Sequence, residues 1–205
     1  FFIDIDKNGN VYTIGDEGSE IEFCSADPQG TKHHSNVPWR GQYTTQHSPQ
    51  GNLNFVLHMN AKGGNQKLTS SRKILVLQDN RLAVSVSCSG SLWVVDSRGD
   101  STEIKGRAPL MLLFSEKGWY QEAIRVPLSS VIWMSQTNDG DLYLTGRKDT
   151  YMSSKQCAVA KVNLGTNTAS IVSEKLSDKM VDCIAIDNTL WFLDVEITCS
   201  EHYYQ

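Results

Sequence analysis

The sequence has no excess of basic residues, no long hydrophobic run and no regular cysteine pattern. Its 205 residues include 19 Lys and Arg against 23 Asp and Glu, which gives a net charge of −4. A nucleic-acid-binding domain normally carries a basic stripe, so we expect no nucleic-acid partner. The longest apolar runs, Leu110 to Phe114 and Ile74 to Leu77, are far shorter than the ~20 residues of a transmembrane segment. Because 40% of the residues are hydrophobic, the chain can still bury a sizeable core.

The five cysteines do not predict a disulfide framework or a zinc site, because their number is odd and no Cys-x-x-Cys pair occurs. We expect buried thiols that pack as small hydrophobic residues. None of the twelve asparagines begins an Asn-x-Ser/Thr acceptor, which favours a cytoplasmic location. The chain starts at Phe1 without a Met or a signal-peptide pattern, and we interpret it as part of a larger protein.

Strand signals dominate the sequence and predict an all-β fold. Short alternating or β-branched runs are separated by turn residues, and no stretch has a helical apolar stripe over three turns. The predicted strands are Phe1–Asp6, Val11–Ile14, Ile21–Cys24, Asn54–Met59, Ile74–Gln78, Leu82–Cys88, Ser91–Asp96, Leu110–Ser115, Ser130–Ser135, Asp141–Thr145, Ala158–Asn163, Ala169–Ser173, Val181–Ile186 and Thr189–Val195.

The dipeptides between these runs predict hairpins. Asn8-Gly9 and Asp139-Gly140 are typical of type I′ turns, in which both central residues have positive φ. Two polar stretches, 27–50 and 61–73, contain no apolar run, and we expect both to be loops or insertions between strands.

One local pattern recurs and organises the chain. A hydrophobic strand is followed by a tight turn and then by a strand centred on an aromatic residue, at Tyr12, Trp93, Tyr143 and Trp191. A period of about 40 to 50 residues with about four strands per period is typical of a β-propeller, whose blades are four-stranded antiparallel sheets. We therefore predict one β-propeller, or part of a larger ring, over 1–205.

At these aromatic hairpins the chain resembles the tectonin-like and RCC1-like propeller repeats. The pattern they share is a hydrophobic strand, a turn, and then Leu-Trp or Leu-Tyr before Asp or Gly, as in Leu92-Trp93 and Leu142-Tyr143. The tectonin-like resemblance implies a role in a trafficking or autophagy scaffold, or carbohydrate binding. The RCC1-like resemblance implies GTPase regulation or chromatin contact, and the net charge disfavours chromatin.

Several short motifs suggest metal binding or adhesion, but each has a simpler structural interpretation. Asp4-x-Asp6-x-Asn8-Gly9 matches the first half of a calcium loop, although the twelfth position is Gly15, and we prefer a hairpin turn. Arg98-Gly99-Asp100 is interpreted as an exposed turn. His33, His34 and His47 share one polar stretch without the spacing of a zinc site, so we expect no metal and no cofactor.

No motif predicts catalysis. The sequence contains no Gly-x-Ser-x-Gly elbow, phosphate-binding loop or His-Glu-x-x-His helix. Acidic residues at strand ends could pair as in a glycosidase, although a turn-capping role is the simpler interpretation. These residues are Asp96, Asp141, Asp182, Asp187 and Asp194.

The best candidates for binding are aromatic and basic residues outside the repeat. Trp39-Arg40 and Trp119-Tyr120 lie in polar stretches, and Trp, Tyr and Arg are enriched at interface hot spots. The leading hypothesis is a non-enzymatic protein-interaction platform within a larger cytosolic scaffold or regulatory protein, which binds protein partners through its loops. The alternatives are a tectonin-like lectin with a glycan or small-molecule ligand and, ranked lower, a propeller hydrolase.

Overall fold

A computed structural model describes residues 2–16, 24–26, 32–34, 41–61, 68–88, 90–105, 108–148, 157–176, 180–186 and 188–194. The chain divides into two compact units, Phe1–Val126 and Pro127–Gln205. Every regular element of the described residues is a β-strand, so the all-β prediction is confirmed. No membrane-spanning helix occurs in this part of the chain.

The first unit contains twelve strands. They are β1 (Phe2–Ile5), β2 (Val11–Asp16), β3 (Cys24–Ala26), β4 (Lys32–His34), β5 (Gly41–His47), β6 (Leu53–Ala61), β7 (Leu68–Val76), β8 (Leu82–Cys88), β9 (Leu92–Val95), β10 (Ser101–Ile104), β11 (Ala108–Phe114) and β12 (Tyr120–Arg125). The second unit contains β13 (Ser130–Gln136), β14 (Leu142–Arg147), β15 (Cys157–Asn163), β16 (Thr168–Leu176), β17 (Met180–Ile186) and β18 (Thr189–Asp194).

The strands of the first unit form two main antiparallel sheets between which the chain alternates. The first sheet has the order β1-β2-β5-β6-β9-β10, and the second has the order β12-β11-β8-β7. The chain leaves the first sheet after β6 to form β7 and β8, returns for β9 and β10, and then completes the second sheet with β11 and β12. A separate hairpin pairs β3 with β4.

One hydrophobic core lies in the first unit and takes residues from both main sheets. Tyr12, Leu57 and Val94 come from the first sheet, and Val84 and Phe114 come from the second. The alternation of buried and outward residues along β9 is that of a strand with one face on a core. Burial of each large apolar side chain stabilises the unit by about 1.5–3 kcal/mol.

The second unit contains a simple four-stranded sheet. Strands β13, β14, β15 and β16 follow one another in the chain and pair in that order, which is the antiparallel arrangement predicted for one propeller blade. Strands β17 and β18 form a separate two-stranded sheet. Ring closure and the number of blades stay predictions.

Six hairpins use the same turn. In each, the first residue donates its N–H to the carbonyl oxygen of the fifth, and the fourth donates its N–H to the carbonyl oxygen of the first. The fourth residue always has a positive φ, between 65° and 89°. The six turns are Asp6–Asn10, Ser48–Asn52, Leu77–Arg81, Asp96–Asp100, Ser115–Trp119 and Thr137–Asp141.

These turns correct the type I′ prediction. Only the glycine of Asn8-Gly9, and only that of Asp139-Gly140, has a positive φ. A positive φ at the fourth residue alone is typical of the three-residue hairpin loop with a G1 bulge, which matches the twist of the strands with one left-handed residue.

The prediction that 27–50 and 61–73 are loops is wrong in part, because a strand begins inside each stretch. Strand β5 occupies Gly41–His47, within the predicted 27–50 loop, and pairs with β2 and β6 in the middle of the first sheet. Strand β7 begins at Leu68, within the predicted 61–73 stretch. Strand β5 lacks the apolar run on which the prediction depended, because it directs Gln42, Thr44 and Gln46 toward the core face. The part of β7 that precedes Ile74 has no apolar run either.

Two glycine variants should separate backbone strain from steric clash. Gly118 and Gly99 occupy the same turn position, so alanine at either is strained by about 1–2 kcal/mol. A Cβ at Gly118 would also lie 3.0 Å from both Phe55 Cδ2 and Ser97 Cβ, whereas a Cβ at Gly99 meets nothing within 4 Å. Gly118→Ala should therefore lower the free energy of unfolding by about 1–3 kcal/mol more than Gly99→Ala does.

The measurement is urea unfolding of both variants and of the unsubstituted chain, followed by circular dichroism. Equal losses in the two variants would show that Gly118 is not packed as described.

Candidate functional site

Two neighbouring turns of the first unit bring basic and aromatic side chains together at its surface. The β9–β10 turn carries Arg98 and Asp100, and the β11–β12 turn carries Lys117 and Trp119. We call these four residues the two-turn surface. Arg98 and Lys117 each occupy the third position of their turn, where the side chain is exposed and its identity is free to vary.

The backbones of the two turns are joined directly. Ser97 donates its N–H to the carbonyl oxygen of Gly118 at 3.1 Å, and its hydroxyl to the carbonyl oxygen of Lys117 at 2.5 Å. Gly118 is buried against Phe55 and Leu57. The two turns are therefore fixed to each other and to the core.

The buried carboxylate of Asp96 orients this surface. Its Oδ1 accepts the N–H of Arg98 at 2.8 Å, and its Oδ2 accepts Arg98 Nη2 at 2.6 Å and Nε at 3.1 Å. Oδ2 also accepts the N–H of Tyr120 at 3.1 Å, which is the first N–H of β12 in the other sheet. Burial alone would raise the pKa of Asp96, but these hydrogen bonds outweigh it and lower the pKa.

The indole of Trp119 is exposed but held by cations. Its side chain retains 41% of its accessible surface, the largest fraction of any aromatic residue described in the first unit. Arg98 Cζ and Lys117 Nζ each lie 5.2 Å from the ring centroid, within the range of cation–π attraction. Arg98 also pairs with Asp100 at 3.2 Å, so the Arg98-Gly99-Asp100 turn is closed on itself.

The predicted binding residues have different outcomes. Trp119 lies at the centre of the two-turn surface, whereas Tyr120 is half-buried, with its ring edge-to-face on Phe114 at 6.0 Å. Burial raises the pKa of the Tyr120 hydroxyl. Trp39 and Arg40 lie outside the described residues. Sequence reasoning missed Lys117, although both turns share the signal Asp/Ser-x-Arg/Lys-Gly.

The four repeat aromatics occupy unlike environments. Tyr12 is buried in the core and edge-to-face with Phe55 at 6.4 Å, whereas Trp191 retains 59% of its surface. Trp93 and Tyr143 are half-buried. Their equivalence in a repeat stays a prediction.

Asp6, considered for calcium, belongs instead to a hydrogen-bonded turn. Its Oδ1 accepts the N–H groups of Asn8 and Asn10 at 2.9 Å, and its Oδ2 accepts the side chains of Asn10 and Tyr12. The predicted hairpin is confirmed, and the absence of calcium binding stays a prediction. Burial acts to raise the pKa of Asp6, but the hydrogen bonds from Asn8, Asn10 and Tyr12 outweigh it and lower the pKa. Burial raises the pKa of Tyr12 to about 12. The Tyr12 hydroxyl also accepts a hydrogen bond from Gln46 Nε2.

The other metal and catalytic candidates give no metal site within the part of the chain that the structure describes. Among the described residues, no group of three or more His, Cys, Asp or Glu side chains could hold a metal ion. His47 is half-buried on β5, and the side chains of His33 and His34 lie outside the description. Asp141 pairs with Lys161 and accepts the Tyr143 hydroxyl at 3.4 Å.

Three acidic candidates lie in the last part of the chain, and two cysteines lie within the described strands. Asp187 and the side chains of Asp182 and Asp194 lie outside the described residues. Cys88 and Cys157 are buried thiols outside any disulfide, as predicted for packed cysteines.

Comparisons with known proteins identify no family. No protein-family model and no curated protein matches the chain, so the tectonin-like and RCC1-like resemblance gains no support. Among solved structures, the chain is similar to selenomethionine-substituted virginiamycin B lyase from Staphylococcus aureus, a β-propeller, with 10% identity and a TM-score of 0.41. That match covers 94% of this chain and 62% of the lyase chain. A likeness this weak says nothing about activity.

Asp96→Asn should test the buried carboxylate. The substitution removes the charge and one acceptor from Arg98 and Tyr120, and should lower the free energy of unfolding by about 1–3 kcal/mol at neutral pH. The control is Asp100→Asn, because the Asp100 side chain is 67% exposed and an exposed ion pair contributes about 0.2–1 kcal/mol. Urea unfolding measures both changes.

The loss of stability caused by Asp96→Asn should be smaller at acid pH than at neutral pH. Because the pKa of Asp96 is lowered in the folded state, its contribution is complete above the ordinary Asp pKa of about 4. It is lost as the pH falls through the folded-state pKa. The stability difference between the unsubstituted chain and Asp96→Asn should therefore shrink below about pH 4. A constant difference from neutral to acid pH would contradict this role.

Proposed function

We propose that this chain is a non-enzymatic protein-interaction module of the β-propeller class that binds a protein partner through the two-turn surface. The observation that carries the proposal is the exposed Trp119 indole with two cations against it. Exposed Trp with neighbouring Arg is the composition of interface hot spots. The tectonin-like resemblance suggests a scaffold as the larger protein, and this remains part of the proposal.

The rigidity of the surface supports a binding role. The Ser97 hydrogen bonds join the two turns, and the buried Asp96 fixes the Arg98 guanidinium beside the indole. A side chain that is ordered before binding loses less conformational entropy when a partner covers it. Trp119 can therefore contribute more of its apolar area to affinity than a mobile aromatic residue could.

The environment of the acidic residues supports a non-enzymatic role. A glycosidase pair needs two carboxyl groups that are available to a substrate. Asp96 is instead buried and bonded to Arg98 and Tyr120, and Asp141 is paired with Lys161. The Asp96 carboxylate stabilises its turn, and the Asp141 carboxylate is bonded to side chains of two neighbouring strands. The reduced thiols of Cys88 and Cys157 suit a reducing cytoplasmic setting.

The proposal is tested by selecting peptides from a displayed random library against the full chain. Peptides that bind the two-turn surface should lose at least about tenfold in affinity for Trp119→Ala, because the variant lacks the central apolar contact. Trp191→Ala is the matched control, since Trp191 is also exposed but lies in the second unit. Isothermal titration calorimetry with the selected peptides gives the affinities.

Two outcomes would overturn the proposal. Selected peptides that bind Trp119→Ala as tightly as the unsubstituted chain would place recognition elsewhere. Binding on a glycan array that is lost in Trp119→Ala, without any peptide selected at the same surface, would favour the lectin alternative instead.

A further inference from the structure

The β1–β2 turn contains a chemically labile pair of residues. Asn8-Gly9 occupies the third and fourth positions of the Asp6–Asn10 turn, and Gly9 has a φ of 79°. The carboxamide of an asparagine is most readily attacked by the backbone nitrogen that follows it when the next residue is glycine, because no Cβ hinders the approach. Among the six shared turns, this one alone has asparagine before glycine.

The carboxamide of Asn8 is accessible and unrestrained. Asn8 is exposed, and no described residue is hydrogen-bonded to its side-chain amide group. The carboxamide of Asn10, in the same turn, is instead held by Asp6 Oδ2 at 2.7 Å. Rotation about the side-chain bonds of Asn8 can therefore bring its Cγ toward the nitrogen of Gly9.

The hydrogen bonds of the turn restrain the attacking nitrogen. Gly9 donates its N–H to the carbonyl oxygen of Asp6 at 3.0 Å, and Asn8 donates its N–H to Asp6 Oδ1 at 2.9 Å. A backbone nitrogen must lose its proton before it can attack a carboxamide, and a hydrogen-bonded N–H retains its proton. The reaction therefore needs the turn to open, and local opening of a hairpin end takes less free energy than global unfolding.

We propose that Asn8 is a site of spontaneous deamidation in the folded chain, and that opening of the Asp6–Asn10 turn sets its rate. The Gly9 nitrogen gives its proton to solvent and bonds to Asn8 Cγ, while the amide nitrogen takes up a proton and leaves as ammonia. The product is a five-membered succinimide ring. Water then adds to one of the two ring carbonyl carbons, and the ring opens to aspartate or isoaspartate at position 8. Water is the only co-reactant, and no atom is oxidised or reduced.

The modification should weaken the first unit, because the turn is connected to the core. Isoaspartate places an additional carbon in the backbone, so the two hydrogen bonds that close the Asp6–Asn10 turn lose their spacing. Either product also adds a negative charge near the Asp6 carboxylate, which accepts the hydroxyl of the buried Tyr12 at 3.2 Å. Deamidation at position 8 therefore makes the stability of the chain depend on its age.

The test of the reaction is mass spectrometry of peptides from the full chain after incubation at neutral pH, either folded in buffer or unfolded in guanidinium chloride. Asn8 should convert at least about tenfold faster than Gln50, because glutamine has to close a less favourable six-membered ring. Gln50 is a matched internal control, since it is exposed, holds the third position of its turn and precedes Gly51, whose N–H is bonded to Ser48 at 2.8 Å. Asn8 should convert at least about tenfold faster in the unfolded chain than in the folded one.

The test of the consequence is the urea midpoint of aged protein. After the same incubation, the unsubstituted chain should have a lower midpoint than Asn8→Gln, because the variant does not form the five-membered ring. Circular dichroism before incubation establishes that the variant is folded, which is expected because Asn8 is exposed.

Three outcomes would overturn the proposal. Asn8 that stays unconverted in the folded chain would exclude the site. Equal rates in the folded and unfolded chain would show that opening of the turn does not set the rate. Conversion of Gln50 as fast as that of Asn8 would contradict the ring-closure chemistry. An equal loss of midpoint in aged Asn8→Gln would show that the modification does not weaken the first unit.

Discussion

The stability of the first unit and the geometry of its surface depend together on the buried carboxylate of Asp96. The residue follows β9 in the first sheet, yet it accepts the first N–H of β12 in the second. The same carboxylate orients Arg98 beside the exposed Trp119. At the opposite edge, Asp4 accepts the N–H of Val76 and likewise joins the two sheets. Side-chain hydrogen bonds thus connect the sheets where backbone pairing ends.

A single turn geometry accounts for much of the surface chemistry. Six hairpins share it, and in each the fourth residue provides the left-handed backbone that allows strands to meet with the correct twist. The first residue caps the turn in several cases, as Asp6 and Ser115 do with side-chain oxygens. The third and fifth residues need neither a left-handed backbone nor a capping side chain. Arg98 and Lys117 are third residues and Trp119 is a fifth residue, so the candidate site is built on turn positions where the side chain can vary.

Much of the fold could be predicted from the sequence, because most strands bury apolar residues at alternate positions. Strand β8 was predicted with its observed limits, Leu82–Cys88. Strand β5 was missed because its core-facing residues are polar. Gln46 is accommodated through hydrogen bonds to Tyr12 of β2 and Asn54 of β6, the two strands that flank it. Strand β12 was missed for a different reason, because its buried and exposed residues do not alternate regularly. Trp119 was predicted as a binding residue, but its contact with Arg98 depends on a pairing of turns that sequence spacing does not reveal.

The alternation of the chain between two sheets has a consequence for how the first unit is assembled. Neither sheet can be completed from a continuous segment, because β7 and β8 separate β6 from its neighbour β9, and β9 and β10 separate β8 from its neighbour β11. During synthesis, one hydrogen-bonding edge of β8 therefore stays unpaired until the chain through Phe114 has been made. The two sheets must form as one cooperative structure, whose non-local pairings favour slow folding. No continuous segment of this half of the molecule therefore carries one complete main sheet.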